Sequence, residues 1–131
     1  MNPKNELIVA TCKKYNETNS NYPQLKDKVD EFIHTKIENA IRQFGASDKP
    51  FNPDGPLGKL KIWHAHLNRD VSIFYRIKGS PGKLYLYGLF SHKESGTSKN
   101  DPNRNIQKSL AKVLSTQFPE LKEDDDLEIF F

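Results

Sequence analysis

Apolar residues recur every three or four positions in two stretches of the chain, a spacing typical of amphipathic helices. The first stretch follows Gln24 and ends before Gly45, a residue common just past a helix C-terminus. The second runs from about Pro102 to Pro119. Its apolar positions are Ile106, Leu110, Val113, Leu114 and Phe118, and those of the first are Leu25, Val29, Phe32, Ile33, Ile37, Ala40, Ile41 and Phe44. The pattern therefore predicts two helices.

Between these helices the period of the apolar positions falls to two, as in β-strands. Three such runs follow one another, namely Leu60–Leu67, Val71–Ile77 and Lys83–Phe90, and the last two are separated by a Gly- and Pro-containing turn. Strands joined by short connections favour an antiparallel meander. The predicted fold class is α+β: an N-terminal helix, or helices, packed on a small antiparallel sheet, then a C-terminal helix and an acidic tail.

The remaining segments carry weaker patterns. Leu7–Thr11 suits a short strand or a helix start, and the Asn-, Ser- and Thr-rich Asn16–Pro23 predicts a loop. Ala46–Gly58 predicts an irregular connection, and Ser91–Asn103 predicts an exposed loop. Neither a repeat nor an internal boundary is visible, so we expect a single domain over residues 1–131, with 119–131 as the tail.

Charge is distributed unevenly along the 131 residues, although the net charge is only +3. Residues 1–117 carry 19 Lys/Arg and 11 Asp/Glu, whereas residues 118–131 carry one lysine and six acids. A basic body suits a polyanionic partner such as nucleic acid, although solubility alone also explains it. The lone Cys12 excludes an internal disulfide, and no apolar run approaches the length of a membrane span or a signal peptide. We therefore expect a cytoplasmic protein that does not bind membranes.

Three of the four histidines lie in or directly after the predicted meander. His64 and His66 share one strand, Asp70 follows four residues later, and His92 ends another strand. Because neighbouring strands lie about 4.8 Å apart, His92 can approach the His66–Asp70 pair. Imidazole and carboxylate groups suit acid–base catalysis near neutral pH. Two other interpretations remain open: a solvated strand face without function, and a zinc site of the three histidines.

Basic and aromatic residues alternate around these histidines. Arg69, Arg76 and Lys93 lie on or beside the strands, and Tyr75 is one of several interleaved aromatics. Such a surface can hold phosphates and stack unpaired bases. The same residues also fit an arrangement without a binding function, in which the rings fill the core and the cations keep the outer face of the sheet solvated.

The order of elements and four short strings resemble the RelE/ParE toxin superfamily, and within it most closely the YafQ-like and YafO-like mRNA interferases. The resemblance covers about Leu57–Lys93, and its strings are His66-Leu-Asn-Arg-Asp70, Ile73-Phe-Tyr75, Leu84-Tyr-Leu86 and Phe90-Ser-His92. It implies a RelE-like fold in which His66, Asp70 and His92 are the catalytic residues. It also implies that His64, Arg69, Arg76, Lys93 and Tyr75 contact RNA or its phosphates.

By the same resemblance, the chain is the toxin of a type II toxin–antitoxin system. It is expected to cleave mRNA, in association with the ribosome, by attack of a ribose 2′-hydroxyl without metal or cofactor, and to be neutralised by an antitoxin protein. Two departures stand out: the family begins with a pair of helices where one is predicted here, and Lys93–Thr97 lacks the aromatic that closes the site. The alternatives are a non-catalytic relative that binds RNA, gyrase or another protein, and a metal-dependent hydrolase.

The acidic tail suggests a regulatory role of its own. Glu120–Phe131 has the opposite charge to the body and an apolar tip. One hypothesis is that it folds back over the basic face as a built-in mimic of the antitoxin. The alternative is a tail that only promotes solubility.

Overall fold

The computed structural model describes residues 8–39, 49–52, 54–78, 83–96 and 105–121, which form an α+β fold around one five-stranded sheet. The predicted fold class is confirmed. The strand order is β1-β5-β4-β3-β2, with β1 parallel to β5 and the other neighbours antiparallel. In chain order the elements are β1 (Ile8–Ala10), α1 (Lys13–Ser20), α2 (Lys26–Asn39), β2 (Lys49–Pro50), β3 (Trp63–His66), β4 (Val71–Lys78), β5 (Lys83–Ser91), α3 (His92–Ser95) and α4 (Asn105–Leu114).

The predicted meander is formed by β3, β4 and β5, and its register decides which residues share a face. His66 lies opposite Ser72, which in turn lies opposite Phe90. This face, which we call the histidine face, also carries His64 and Phe74. The alternation of strand side chains sends the residues between them to the opposite face.

Helices cover both faces of the sheet, and β4 is buried along its whole length for that reason. On the face opposite the histidines, Phe32 of α2 meets the ring of Tyr75 edge-on, with centroids 5.2 Å apart. On the histidine face, Phe118, just after α4, packs edge-on against Tyr85 and Tyr87 at 4.9 and 5.1 Å. Phe118 and α4 do not cover the end of the sheet that carries His66, and His66 is exposed there.

Helix α1 occupies much of the segment that was predicted to be a loop, and that prediction was wrong. Strand β1 pairs with β5 only over Lys83–Tyr85, so the rest of the β5 edge needs other partners. Thr18 of α1 supplies one, because its Oγ1 accepts the Leu89 N–H at 3.0 Å. The Cys12 thiol lies 3.5 Å from the Leu86 carbonyl and caps the start of the helix. Contacts with β5, rather than an apolar period, therefore stabilise α1.

A register shift interrupts the β4–β5 ladder between Phe74 and Tyr75. Gly88 lies opposite Phe74 at this point. A Cβ at Gly88 would come within 2.8 Å of the Phe90 ring and 2.9 Å of Thr18 Oγ1. The absence of a side chain thus lets the Phe90 ring and α1 both approach the strand.

The C-terminal part differs from the prediction in detail. The four-residue α3 lies inside the predicted loop Ser91–Asn103, which was therefore wrong at its start. Helix α4 ends at Leu114, four residues before Phe118, and a 3₁₀ turn, Pro119–Leu121, follows. The predicted helix start at Asp101-Pro102, the end of the first predicted helix and the acidic tail after Leu121 lie outside the described residues. None of the helices in the described ranges has the length and apolar character to cross a membrane.

Candidate active site

The turn between β3 and β4 holds Asp70 in place through its backbone. The Asn68 Oδ1 accepts hydrogen bonds from the N–H groups of Asp70 and Val71 at 2.8 and 2.7 Å. Leu67 N–H closes the same turn by donating to the Val71 carbonyl at 2.8 Å. An Asn side chain used in this way replaces a missing backbone partner and makes a tight turn favourable. The Asp70 carboxylate therefore starts from a defined backbone position and is exposed to solvent.

His92 reaches the same place from the other end of the meander. It is the first residue of α3, directly after β5. Its backbone N–H donates to the Asp70 carbonyl at 2.9 Å. This hydrogen bond joins the Asp70 turn to the start of α3, so the sequence distance of 22 residues between them becomes a direct contact.

The imidazoles of His66 and His92 meet edge to face at this junction. Their ring centroids are 5.4 Å apart and the rings are nearly perpendicular, at 83°. Ser72 Oγ lies 3.2 Å from His66 Nδ1, which fixes the ring and leaves Nε2 for another partner. His66 is exposed and His92 is half-buried, so both rings are within reach of a ligand.

His64 lies behind His66 and has a different environment. Its ring stacks on Phe51, with centroids 4.3 Å apart, and lies 6.1 Å from that of His66. Burial, followed by the charge of His66, lowers the pKa of His64 to about 4. His64 is therefore neutral at pH 7 and acts there as a flat, weakly polar ring.

Two of the predicted phosphate-binding cations lie beside the histidines. Arg69 is exposed in the turn next to Asp70, and Lys93 is exposed in α3 next to His92. Both side chains are therefore accessible to an anion that approaches from solvent. Chemically, the site offers two adjoining imidazoles, with one carboxylate and two cations on neighbouring residues of the turn and of α3.

The structure does not bring Tyr75 and Arg76 to this surface. Tyr75 is fully buried on the opposite face, against Phe32. Arg76 is 3% exposed and borders a cavity of about 160 Å³ under α4 and Phe118. Arg76 is four positions after Ser72 in β4, and this distance is about 13 Å along an extended strand. Nearness in sequence suggested one surface, but alternation and strand length separate these residues from the histidines.

The described residues include no cluster of three or more His, Cys, Asp or Glu side chains arranged to hold a metal ion. Several supporting residues were not predicted from the sequence: Ser72 beside His66, Phe51 against His64, and Tyr22 and Glu94 near His92. One of them had a recognisable signal, because Ser91-x-x-Glu94 is the pattern of a helix capping box.

Comparisons with known proteins bear on this arrangement. No protein-family model matches the sequence, and no curated protein matches it significantly. Among solved structures, a copper-bound mutant toxin from Helicobacter pylori aligns with a TM-score of 0.54 and 20% identity, covering 67% of this chain and 97% of its own. A YoeB/ParE toxin from Agrobacterium tumefaciens aligns with a TM-score of 0.53 and 13% identity, covering 66% of this chain and 99% of its own.

This chain shares its fold with bacterial toxins. The alignments span nearly all of each toxin and about two thirds of this chain, so the chain contains a whole toxin-type fold and additional residues. The broader expectation of a toxin-type fold is confirmed. The closer assignment to the YafQ-like branch stays a prediction.

Proposed function

We propose that this protein is the toxin of a toxin–antitoxin system and an endoribonuclease that cleaves mRNA, with ribosome-associated transcripts as substrate and an antitoxin protein as partner. The observation that carries the proposal is the pair of imidazoles, His66 and His92, with centroids 5.4 Å apart beside the Asp70 turn. The toxin-type fold and the basic character of residues 1–117 support it.

Two histidines at this separation suit cleavage of an RNA phosphodiester. One imidazole removes the proton from a ribose 2′-hydroxyl, whose oxygen attacks the adjacent phosphorus. The bond from phosphorus to the 5′-oxygen breaks, and the other imidazole, in its protonated form, donates a proton to that oxygen. The products are a 2′,3′-cyclic phosphate and a 5′-hydroxyl, and the imidazoles contribute one proton removal and one proton donation.

The remaining groups have supporting roles in this mechanism. We assign the exposed Arg69 and Lys93, which are the sequence neighbours of Asp70 and His92, to stabilising the negative charge that develops on the phosphate oxygens. The Ser72 hydroxyl orients His66 through Nδ1 and leaves Nε2 for the proton transfer. We assign the Asp70 carboxylate, exposed on the turn whose carbonyl accepts the His92 N–H, to orienting an imidazole or acting as a base.

The proposal is tested by cleavage of mRNA bound to purified ribosomes, with the purified protein and its variants. Removing a group that transfers a proton typically costs a factor of about 10² to 10⁴ in rate. We expect losses in this range for His66→Ala and His92→Ala. His34→Ala is the matched control, since His34 is an exposed histidine on α2 and its removal should leave the rate unchanged.

The chemistry of the cut ends gives a second test. The mechanism predicts a 2′,3′-cyclic phosphate on the upstream fragment, which is detected by its resistance to phosphatase until the ring is opened. A fragment with a 3′-hydroxyl would contradict 2′-hydroxyl attack. Folded protein that binds RNA or gyrase without cleaving RNA would instead favour the non-catalytic alternative.

A further inference from the structure

Tyr22 belongs to the junction between α1 and α2, yet its side chain reaches the turn that carries His92. Its hydroxyl donates to Glu94 Oε1 at 2.6 Å. The same carboxylate oxygen accepts the Ser91 N–H at 2.8 Å, and the Glu94 N–H donates to Ser91 Oγ at 3.0 Å. One oxygen atom therefore connects the helical layer to the first turn of α3.

The protonation states of this pair make the contact strong at neutral pH. Burial, followed by the hydrogen bond to Glu94, raises the pKa of Tyr22 to about 12, so its hydroxyl keeps its proton. Burial alone would raise the pKa of Glu94, but hydrogen bonds from Ser91 and Tyr22 hold it below its ordinary value. The contact is thus a charge-assisted hydrogen bond, which is shorter and stronger than a neutral one.

Helix α3 depends on such contacts because it has only four residues, His92–Ser95. A single helical turn is unfavourable in isolation, since ordering its backbone costs more than its few internal hydrogen bonds return. The Asp70 carbonyl holds its first N–H, and the Ser91–Glu94 capping box holds its first turn. Tyr22 adds the one described side-chain hydrogen bond to Glu94 from outside the capping box.

We propose that Tyr22 and Glu94 form a positioning pair for His92, holding the first turn of α3 so that the His92 imidazole stays opposite His66. The pair acts through His92 and does not contact RNA. Its effect on cleavage rests on the proposed function, whereas its effect on the His92 ring does not. A displacement of about 1 Å in an active site can cost as much as a hundredfold in rate, so a partial loss of order is measurable.

Four single variants test the pair. Tyr22→Phe removes only the hydroxyl, and Glu94→Ala removes both the acceptor and the capping box. Glu94→Gln keeps an acceptor oxygen for Tyr22 and Ser91 but loses the charge, so its effect should be smaller than that of Glu94→Ala. Tyr15→Phe is the matched control, because Tyr15 is a buried tyrosine of α1 that lines the same cavity as Tyr22.

The first readout is the NMR spectrum of the histidine rings, which requires neither RNA nor activity. We expect the His92 resonances to shift or broaden in Tyr22→Phe and Glu94→Ala, to change less in Glu94→Gln, and to stay in place in Tyr15→Phe. The exposed His34 serves as an internal reference. Unchanged His92 resonances in both damaging variants would overturn the positioning role, whatever the cleavage assay shows.

The second readout is RNA cleavage by the same variants. We expect kcat to fall about tenfold in Tyr22→Phe, with KM unchanged. The double variant Tyr22→Phe/Glu94→Ala should have the same kcat as Glu94→Ala alone, because both changes remove the same contact. Equal losses in Tyr15→Phe would overturn the pair in favour of general destabilisation. If wild-type protein fails to cleave RNA but the His92 shifts occur as expected, the proposed function is wrong and the positioning role stands.

Discussion

Replacing Thr18 by valine should destabilise the protein through one buried hydrogen bond. Thr18 is 7% exposed, and its Oγ1 accepts the Leu89 N–H at 3.0 Å on the part of the β5 edge that β1 leaves unpaired. Valine has nearly the same shape but offers no acceptor, so the Leu89 N–H is left buried without a partner. The Thr18 hydroxyl also donates to the carbonyls of Lys14 and Tyr15, which are backbone groups of α1 itself.

The size of the effect follows from two opposing contributions. A buried donor without a partner costs about 1–3 kcal/mol. The methyl group that replaces the hydroxyl returns about 0.8 kcal/mol through its burial. We therefore expect the free energy of unfolding to fall by about 0.2–2.2 kcal/mol.

Urea denaturation at pH 7 measures this change, and amide hydrogen exchange locates it. The Leu89 N–H should exchange faster in Thr18→Val than in Thr18→Ser, which keeps the hydroxyl. Thr35→Val is the matched control, because Thr35 is exposed on α2 and its substitution should change the free energy of unfolding by less than about 0.5 kcal/mol. A Thr18→Val variant as stable as this control, with Leu89 exchange unchanged, would refute the role of α1 as a partner for the β5 edge.

Three further predictions address pH dependence, packing and the tail. Burial lowers the pKa of His64 from 6.5 to about 4, so between these pH values the unfolded chain is protonated at His64 and the folded chain is not. Between pH 7 and pH 4 the free energy of unfolding should therefore fall by about 1–2 kcal/mol more in the wild type than in His64→Phe, a value reduced because His64 is partly exposed. The same dependence of unfolding free energy on pH in both proteins would contradict this. Gly88→Ala should lower the free energy of unfolding by about 1–3 kcal/mol through the clash with Phe90, and an added Phe90→Leu should recover part of it; equal losses in both backgrounds would exclude the clash. Deleting residues 122–131, which spares the buried Leu121, should raise RNA cleavage if the acidic tail inhibits, whereas unchanged activity would remove that hypothesis.

The sheet and the two histidine positions could be predicted because local patterns determine them. The β-branched and aromatic residues of Val71–Ile77 and Lys83–Phe90 favour strands locally, and β4 and β5 form there. The meander then requires the end of β5 to lie beside the start of β4. That geometry places His92 next to Asp70.

Other features could not be predicted because contacts distant in sequence determine them. The segment around Thr18 has the composition of a loop, and it becomes a helix by completing the edge of β5. With α1, two α-helices in the described part of the chain precede the meander where the sequence pattern predicted one. Tyr22 was likewise overlooked, since its contact with Glu94 spans 72 residues.

Tyr75 and Arg76 lie away from the histidines for a different reason. Both lie in the strand that also carries Ser72, so a surface of basic and aromatic residues was a reasonable prediction. Side-chain alternation turns Tyr75 to the opposite face, and α4 covers the part of the histidine face that contains Arg76. The sequence of a strand shows which residues are neighbours along the chain, but it does not show which part of the sheet a later helix will cover.

Catalysis by the histidine pair is tested most directly by growth arrest on induced expression of wild-type protein, His66→Ala and His92→Ala, with transcript cleavage mapped by primer extension. We expect arrest and cut transcripts for the wild type. Both should disappear in the two variants, while His34→Ala behaves like the wild type and all the proteins remain folded. Arrest that persists in both folded variants, without cut transcripts, would contradict catalysis by the histidine pair.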